Sequence, residues 1–391
     1  MSVPRGQVIR TQRGLTLIEL MISITIGLVV IGAVSYMYLG SKGAYRGNES
    51  QARIQEAGRF ALDAITNDIR RAGGLGCGTL ESVYSGSNVS VNVIPPTAGV
   101  NPIAVGSAIN GAVLAVDTTS EPIPIQGLTL APTYPQPPAT APPGWTPLPG
   151  PAYRGGDILQ LQISSGWPVR VTNNPDTVNG NIQIASNAIP NSTSTAPNFN
   201  ANDFVVLANC SSAAVFQTPT TPTGSPPLLS YKVGGTVPTL LQAQQLGYGL
   251  GTYSTVQHFD QVTYYLGTVP GSANAVAGSG TPSALYRYSL ASGTAQEVAD
   301  NVEDIDVSYG VGAGATVFKS ANALTPADWP NVVSVRVSLI AVGDQLGIVS
   351  APQTFPFHGA GTAAGAVAWT APDTRLRQVF TVTATLRDRL Q

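Results

Sequence analysis

Charge is scarce in this chain. Asp, Glu, Lys and Arg make up only 10% of its 391 residues, low for a cytosolic enzyme, and a net charge of −2 leaves no basic footprint for nucleic acid. Histidine is nearly absent, and no metal-type spacing joins His258 to His358. Both read as ordinary surface or loop residues. Cysteine occurs twice, at Cys77 and Cys210, in no C-x-x-C pair and beside no histidine cluster. If the chain is exported, an even count suggests one disulfide, the alternative being two buried free thiols. There is no G-x-S-x-G elbow. Gly247, Gly249 and Gly251 form a glycine-rich turn but do not follow a strand as a dinucleotide site requires. Asp300, Glu303, Asp304 and Asp306 cluster, yet they lack the spacing and the glycine of a calcium loop. In a strand starting at Val302, Asp304 and Asp306 share one face against Ile305, Val307 and Tyr309 on the other, which predicts a solvated acidic face. These absences leave no catalytic residue, no cofactor site and no metal site to expect.

What the chain does have is glycine and proline, 42 and 31 residues, and one long apolar run. The glycine and proline suit a loop-rich β protein and fall short of the range for wholesale disorder. The run extends from Leu15 to Leu39, 25 residues with Glu19 as the single charge. As a helix it would be about 37 Å long, enough to cross a bilayer core. A carboxylate inside such a segment is costly and points to a function. Ahead of the run lies a short leader with Arg5, Arg10 and Arg13, closed by Gly14. The arginines predict a cytoplasmic N-terminus and an exported bulk, a rule that Lys42 and Arg46 on the far side weaken. Losing the leader would take the net charge from −2 to −5. An ordinary secretory signal is cut after its apolar region, whereas Gly14 precedes it. Tyr36, Tyr38 and Tyr45 fit an interfacial belt at the outer end of the helix.

Past Ser41 the helix changes character without a clear stop. Ala57, Phe60, Ala61, Ala64, Ile65 and Ile69 recur at spacings of three and four, and Glu56, Arg59, Asp63, Asp68 and Arg70 fill the other face. Arg70, Arg71 and then Gly73-Gly74 supply a stop. One helix is therefore expected from about Thr16 to Ala72. Beyond Gly76 the pattern turns to strands, expected at 112–116, 158–163, 204–207, 214–217, 261–266, 284–290, 302–309, 332–342 and 378–387. Several alternate with period two, as in Phe380, Val382, Ala384 and Leu386 against Thr381, Thr383, Thr385 and Arg387, the mark of antiparallel sheets with one solvated face. The proline-rich stretch 131–152, the Asn/Ser/Thr-rich stretch 173–202 and the Gly/Ala/Ser-rich stretch 270–282 read as loop insertions. The fold class expected is α+β: a long N-terminal helix, membrane-spanning then amphipathic, packed on an antiparallel β-sheet head. Its divisions are a leader over 1–14, a transmembrane helix over 15–39, an amphipathic continuation over 40–74 and a β-rich periplasmic head over 75–391.

The residues Gly14-Leu15-Thr16-Leu17-Ile18-Glu19-Leu20 resemble the processing site of type IV prepilins. That resemblance implies cleavage by a prepilin peptidase between Gly14 and Leu15 and N-methylation of Leu15, a position where the family usually has phenylalanine. It implies that Glu19 pairs with the N-terminal amine of a neighbouring pilin, which an apolar setting would favour over leaving the carboxylate alone. The segments 56–62, 68–74 and 76–78, then 203–210 and 215–217, and finally Trp329, 332–337 and 375–380 resemble the PilW family of minor pilins, in which two cysteines match Cys77 and Cys210. On that resemblance the chain is a structural minor pilin that helps initiate pilus assembly at or near the tip. Its expected partners are prepilin peptidase, other minor pilins, the major pilin, a pilus-tip adhesin and the inner membrane, with no nucleic acid. A type II secretion pseudopilin is built on the same plan. A membrane-anchored surface-binding module or adhesin would use the long loops instead, and an anchored hydrolase would need a nucleophile and base that the sequence does not supply.

Overall fold

The computed structural model describes residues 16–73, the short strands at 91–94, 113–116, 133–135 and 146–148, and most of 153–386 apart from 175, 177–178, 190–196, 210–212, 232–252, 269–282, 313, 321–322, 325–327, 329–330 and 358–367. One continuous helix, α1, runs over Leu17–Arg71, about 82 Å at the helical rise. Thr16 is its N-cap and Glu19 completes a capping box. At the other end Ala72 leaves the helix in an extended conformation. The Gly73 N–H then donates to the Gln162 carbonyl at 2.9 Å, at a left-handed φ of 82° that suits glycine. The helix exit is thus stitched directly to a strand of the head.

Among the described residues nineteen strands follow: β1 (Val91–Ile94), β2 (Val113–Val116), β3 (Thr133–Pro135), β4 (Thr146–Leu148), β5 (Tyr153–Arg170), β6 (Asn181–Gln183), β7 (Phe204–Ala208), β8 (Ala213–Gln217), β9 (Thr223–Gly224), β10 (Pro227–Ser230), β11 (Thr255–Thr268), β12 (Ser283–Ser289), β13 (Thr294–Asp300), β14 (Val302–Val311), β15 (Phe318–Ser320), β16 (Val332–Val342), β17 (Thr354–Pro356), β18 (Ala368–Thr370) and β19 (Arg377–Thr385). An eight-stranded sheet has the order β1-β8-β7-β11-β12-β13, with β5 pairing the other edge of β11 and β2 pairing β5. It is antiparallel except for β1 on β8. A four-stranded antiparallel sheet has the order β15-β14-β16-β19. The α+β class expected from sequence is what the chain adopts.

The helix welds the two sheets. Ala61, Leu62, Ile65 and Ile69 are buried on it, with Ala72 at its exit, and share one apolar core with Leu159, Leu161 and Ile163 of β5, Val262 and Tyr264 of β11, Ile305 and Val307 of β14, and Val335, Val337 and Leu339 of β16. Each large aliphatic side chain so buried contributes about 1.5–3 kcal/mol of transfer free energy. A second core sits further along the same ribbon, where Val169 of β5, Val171 just past it and Val256 of β11 meet Ile182, Ile184, Phe199, Phe216, Leu229 and Tyr231.

Four expectations need correction. Phe60 does not belong to the buried stripe: it is 60% exposed, and Gly58 is buried there instead. Asp68, placed on the polar face by its charge, is buried. The acidic face of β14 is not solvated: Glu303, Asp304 and Asp306 are all buried, because β14 lies between β15 and β16 and also packs on β5, whose Asp157 accepts from the Val307 N–H at 2.8 Å. The stretches 131–152 and 173–202 are not loop throughout. The first holds β3 and β4, paired in parallel. The second supplies β6 and buries Ile182, Ile184 and Phe199 in the second core.

Gly58 is where helix and sheet come closest. A Cβ there would run into the Phe380 ring of β19, a contact that forces one element to move. Gly58→Ala is therefore expected to destabilise by about 1–3 kcal/mol through overpacking, against the gain of about 0.5–1 kcal/mol that alanine brings to an ordinary helix position. Chemical denaturation of the detergent-solubilised chain would measure this, with recovery in the Gly58→Ala/Phe380→Leu pair; a stabilised single variant would contradict the packing.

A buried ionic cluster anchors the segment before β19. Arg377, with its side chain fully buried, donates to Glu303 through Nε at 2.5 Å and Nη2 at 3.2 Å, and through Nη1 to Asp373 at 2.8 Å. Burial raises the Asp373 carboxyl, but the Arg377 and Arg375 hydrogen bonds outweigh it and hold the group down at about 2. A carboxylate depressed in the folded state stabilises above its unfolded value and loses that contribution as pH falls through its folded value. Stability should thus drop between about pH 4 and pH 2, and the drop should be smaller in Asp373→Asn; equal acid profiles for the two proteins would refute the assignment.

Candidate functional site

The first turns of α1 carry the site residues expected from sequence. Thr16 Oγ1 accepts from the Glu19 N–H at 3.3 Å, and one Glu19 carboxylate oxygen accepts from the Thr16 N–H at 3.0 Å and from the Thr16 hydroxyl at 2.9 Å. Glu19 is therefore not an orphan charge within its own chain. It turns back on the helix N-terminus, satisfies the Thr16 N–H, which no helical carbonyl can reach, and meets the positive end of the helix dipole. The Thr-x-x-Glu spacing is a capping signature visible in the sequence, and it identifies Thr16 as a residue the reading of Glu19 alone had missed. Gly14 and Leu15, the expected cleavage pair, and Cys77 and Cys210, the expected disulfide, lie outside the described residues, as do His358 and the glycine turn at 247–251.

From Leu17 to Leu39 the helix presents its apolar side chains outward. Leu17, Ile22, Leu28, Val29, Ile31, Val34 and Leu39 are all exposed, and this is the one helix among the described residues long and apolar enough to cross a membrane. Tyr36 and Tyr38, near the end of the apolar stretch, and Tyr45, just past it, are also exposed. Burial begins at Ser50. The helix thus has a bare half and a seated half, and the change occurs within a single continuous element.

The seated half is fixed by polar contacts as well as by its stripe. Asp68 accepts from Tyr264 Oη at 2.8 Å and from Arg287 Nε at 2.7 Å, with Arg71 at 3.6 Å. Tyr264 Oη also lies 3.3 Å from the Ala64 carbonyl. Burial, reinforced by the Asp68 carboxylate, pushes the Tyr264 phenol up and keeps it a donor. Nearer the bare half, Arg53 reaches Asp344 at 2.7 Å and Glu49 at 3.1 Å; these pairs are exposed and contribute little. No sequence signal links Asp68 to Arg287, which lie 219 positions apart.

Among the described residues, His258 has only local partners. His258 stacks on Phe199 with ring centres 4.8 Å apart, and its Nε2 is 2.9 Å from the Asn198 carbonyl. Its Nδ1 is 3.8 Å from Asp203. Among the described residues no three His, Cys, Asp or Glu side chains cluster as metal ligands would.

Removing the Asp68 carboxylate leaves a half-buried guanidinium without its partner. Asp68→Ala should cost about 2–4 kcal/mol, Asp68→Asn less, and Asp63→Ala, at an exposed site on the same helix, within about 0.5 kcal/mol. Denaturant titration of the full chain in detergent would check the order, and equal losses at positions 63 and 68 would overturn the docking role.

Two family models match the chain. Residues 263–388 match the family described as Type IV Pilus-assembly protein W, and residues 9–35 match the prokaryotic N-terminal methylation motif. No curated protein and no solved structure matches it. The first match takes in β12 to β19 and starts after both cysteines, so the resemblance around Cys77 and Cys210 rests on those segments alone. Both matches point to a structural protein rather than an enzyme. A methylation motif thus leads into the bare helix, and the segment 263–388 of the head is similar to the pilus-assembly protein W family.

Proposed function

We propose that this protein is a minor pilin that helps initiate type IV pilus assembly at or near the tip. The observation that carries the reading is the junction in α1. A methylation motif opens a helix whose first half is bare and apolar and whose second half is locked into a β head. A subunit so built can rest in the inner membrane with its head in the periplasm and later trade lipid for the helices of other pilins, with no change in its own fold. Prepilin peptidase cleaves between Gly14 and Leu15, and Leu15 is then N-methylated. That cut places a free amine directly before the Thr16–Glu19 capping box. On assembly the amine of a neighbouring subunit joins or replaces Thr16 on the Glu19 carboxylate, which fixes axial register. Other minor pilins, the major pilin and a tip adhesin are the partners, and Cys77 pairs with Cys210 in the exported head. The pilus-assembly match favours this over a secretion pseudopilin.

The test is expression of the full chain with and without prepilin peptidase, followed by intact and non-reducing peptide mass mapping. A methylated Leu15 N-terminus only when the peptidase is present, together with a linked Cys77–Cys210 peptide, is expected. Any other mature N-terminus would sink the processing claim, and free thiols in exported protein would remove the disulfide.

A further inference from the structure

Sheet edges are where one β protein meets another, and natural sheets guard them with charge, proline, bulges or brevity. The described edges of the head follow that rule with one exception. β1 has four residues, β15 has three and includes Lys319. β13 carries Glu297 and Asp300, and its pairing to β12 has a register shift. β19 is different. It is the last strand of the four-stranded sheet, paired to β16 in unbroken register over nine residues. From Gln378 to Thr385 it has no charge, no proline and no glycine.

Its side chains also mark an unfinished surface. Thr381, Thr383 and Thr385 are exposed on one face. On the other, Phe380 and Val382 pack against the core beside α1, yet both remain only half-buried. Among the described residues no strand lies beyond them to complete the cover. Unpaired backbone N–H and C=O groups along such an edge are complemented by an extended chain, and by no helix.

We propose that the outer edge of β19 is a strand-addition site for a second protein chain of the filament. The occupant is an extended, uncharged segment with apolar residues toward Phe380 and Val382 and small polar residues alongside the threonines. Backbone hydrogen bonds hold it, and the alternating pattern sets its register. The proposal rests on the pilin reading above, and it places the contact beside the helix that a neighbouring subunit must approach.

The experiment uses the full chain in cells that assemble the filament. T383E/T385K sets one charge of each sign on the edge and leaves Arg336, which donates to Thr383 Oγ1, facing a carboxylate. T294E/Q296K does the same for exposed positions of β13. Recovery of the chain in sheared filaments should fall about tenfold or more in the β19 variant, as for the loss of one or two backbone hydrogen bonds, and stay at the wild-type level in the β13 variant. Equal melting of both purified variants and wild type establishes that folding is intact. A photo-crosslinker replacing Gln378 should link to a strand-forming segment of another pilus subunit. Wild-type recovery of T383E/T385K, or crosslinks confined to helices or lipid, overturns the edge site while leaving the pilin reading in place. Absence of the wild-type chain from filaments overturns both.

Discussion

Everything described in the head depends on the seating of one amphipathic half-helix. Its stripe is the common ground of two sheets that share no pairing with each other, and without it Leu161, Tyr264, Val307 and Val337 would each face water. The hydrophobic contribution is large but non-directional. What makes the seat unique is the polar pin at Asp68 and the absence of a side chain at Gly58. One fixes rotation about the helix axis through Tyr264 and Arg287, and the other fixes depth against Phe380. Burying a carboxylate costs free energy unless it is paired, so this pin favours a single docking over near alternatives that would break it.

The sequence was legible where the physics is local. The apolar run, the stop at Gly73, the period-two strands and the capping spacing at Thr16 all lie within a few residues of their partners. It was misleading where long-range pairing overrode local character. Asp68 reads as a surface charge until Arg287 arrives from 219 positions away. Phe60 has the right spacing and the wrong face, because the stripe turns toward Gly58 to admit Phe380. Asp304 and Asp306 alternate as a solvated face should, but β14 lies inside its sheet and against β5. β13 gave no strand pattern because its residues are largely exposed and polar, and it pairs because β12 offers an edge.

The site at the N-terminus shows a second kind of limit. A glutamate in an apolar run signals function, and from the run alone it looks unpaired. Thr16 removes that impression: the carboxylate is satisfied within the subunit. A group brought to this carboxylate would have to compete with an existing hydrogen-bonded cap, so such a contact would exchange partners rather than relieve a stranded charge.

The two cores of the head are built on the same pair of strands. β5 and β11 give Leu161, Ile163 and Val262 to the helix core and Val169 and Val256 to the second core. Opening the distal core therefore frays the strands that seat the helix, and losing the helix loosens the ribbon that supports the distal core. Two hydrophobic clusters that would otherwise melt as separate units are coupled into one cooperative transition. A chain built this way is expected to keep or lose both cores together, with no half-open head on a seated helix.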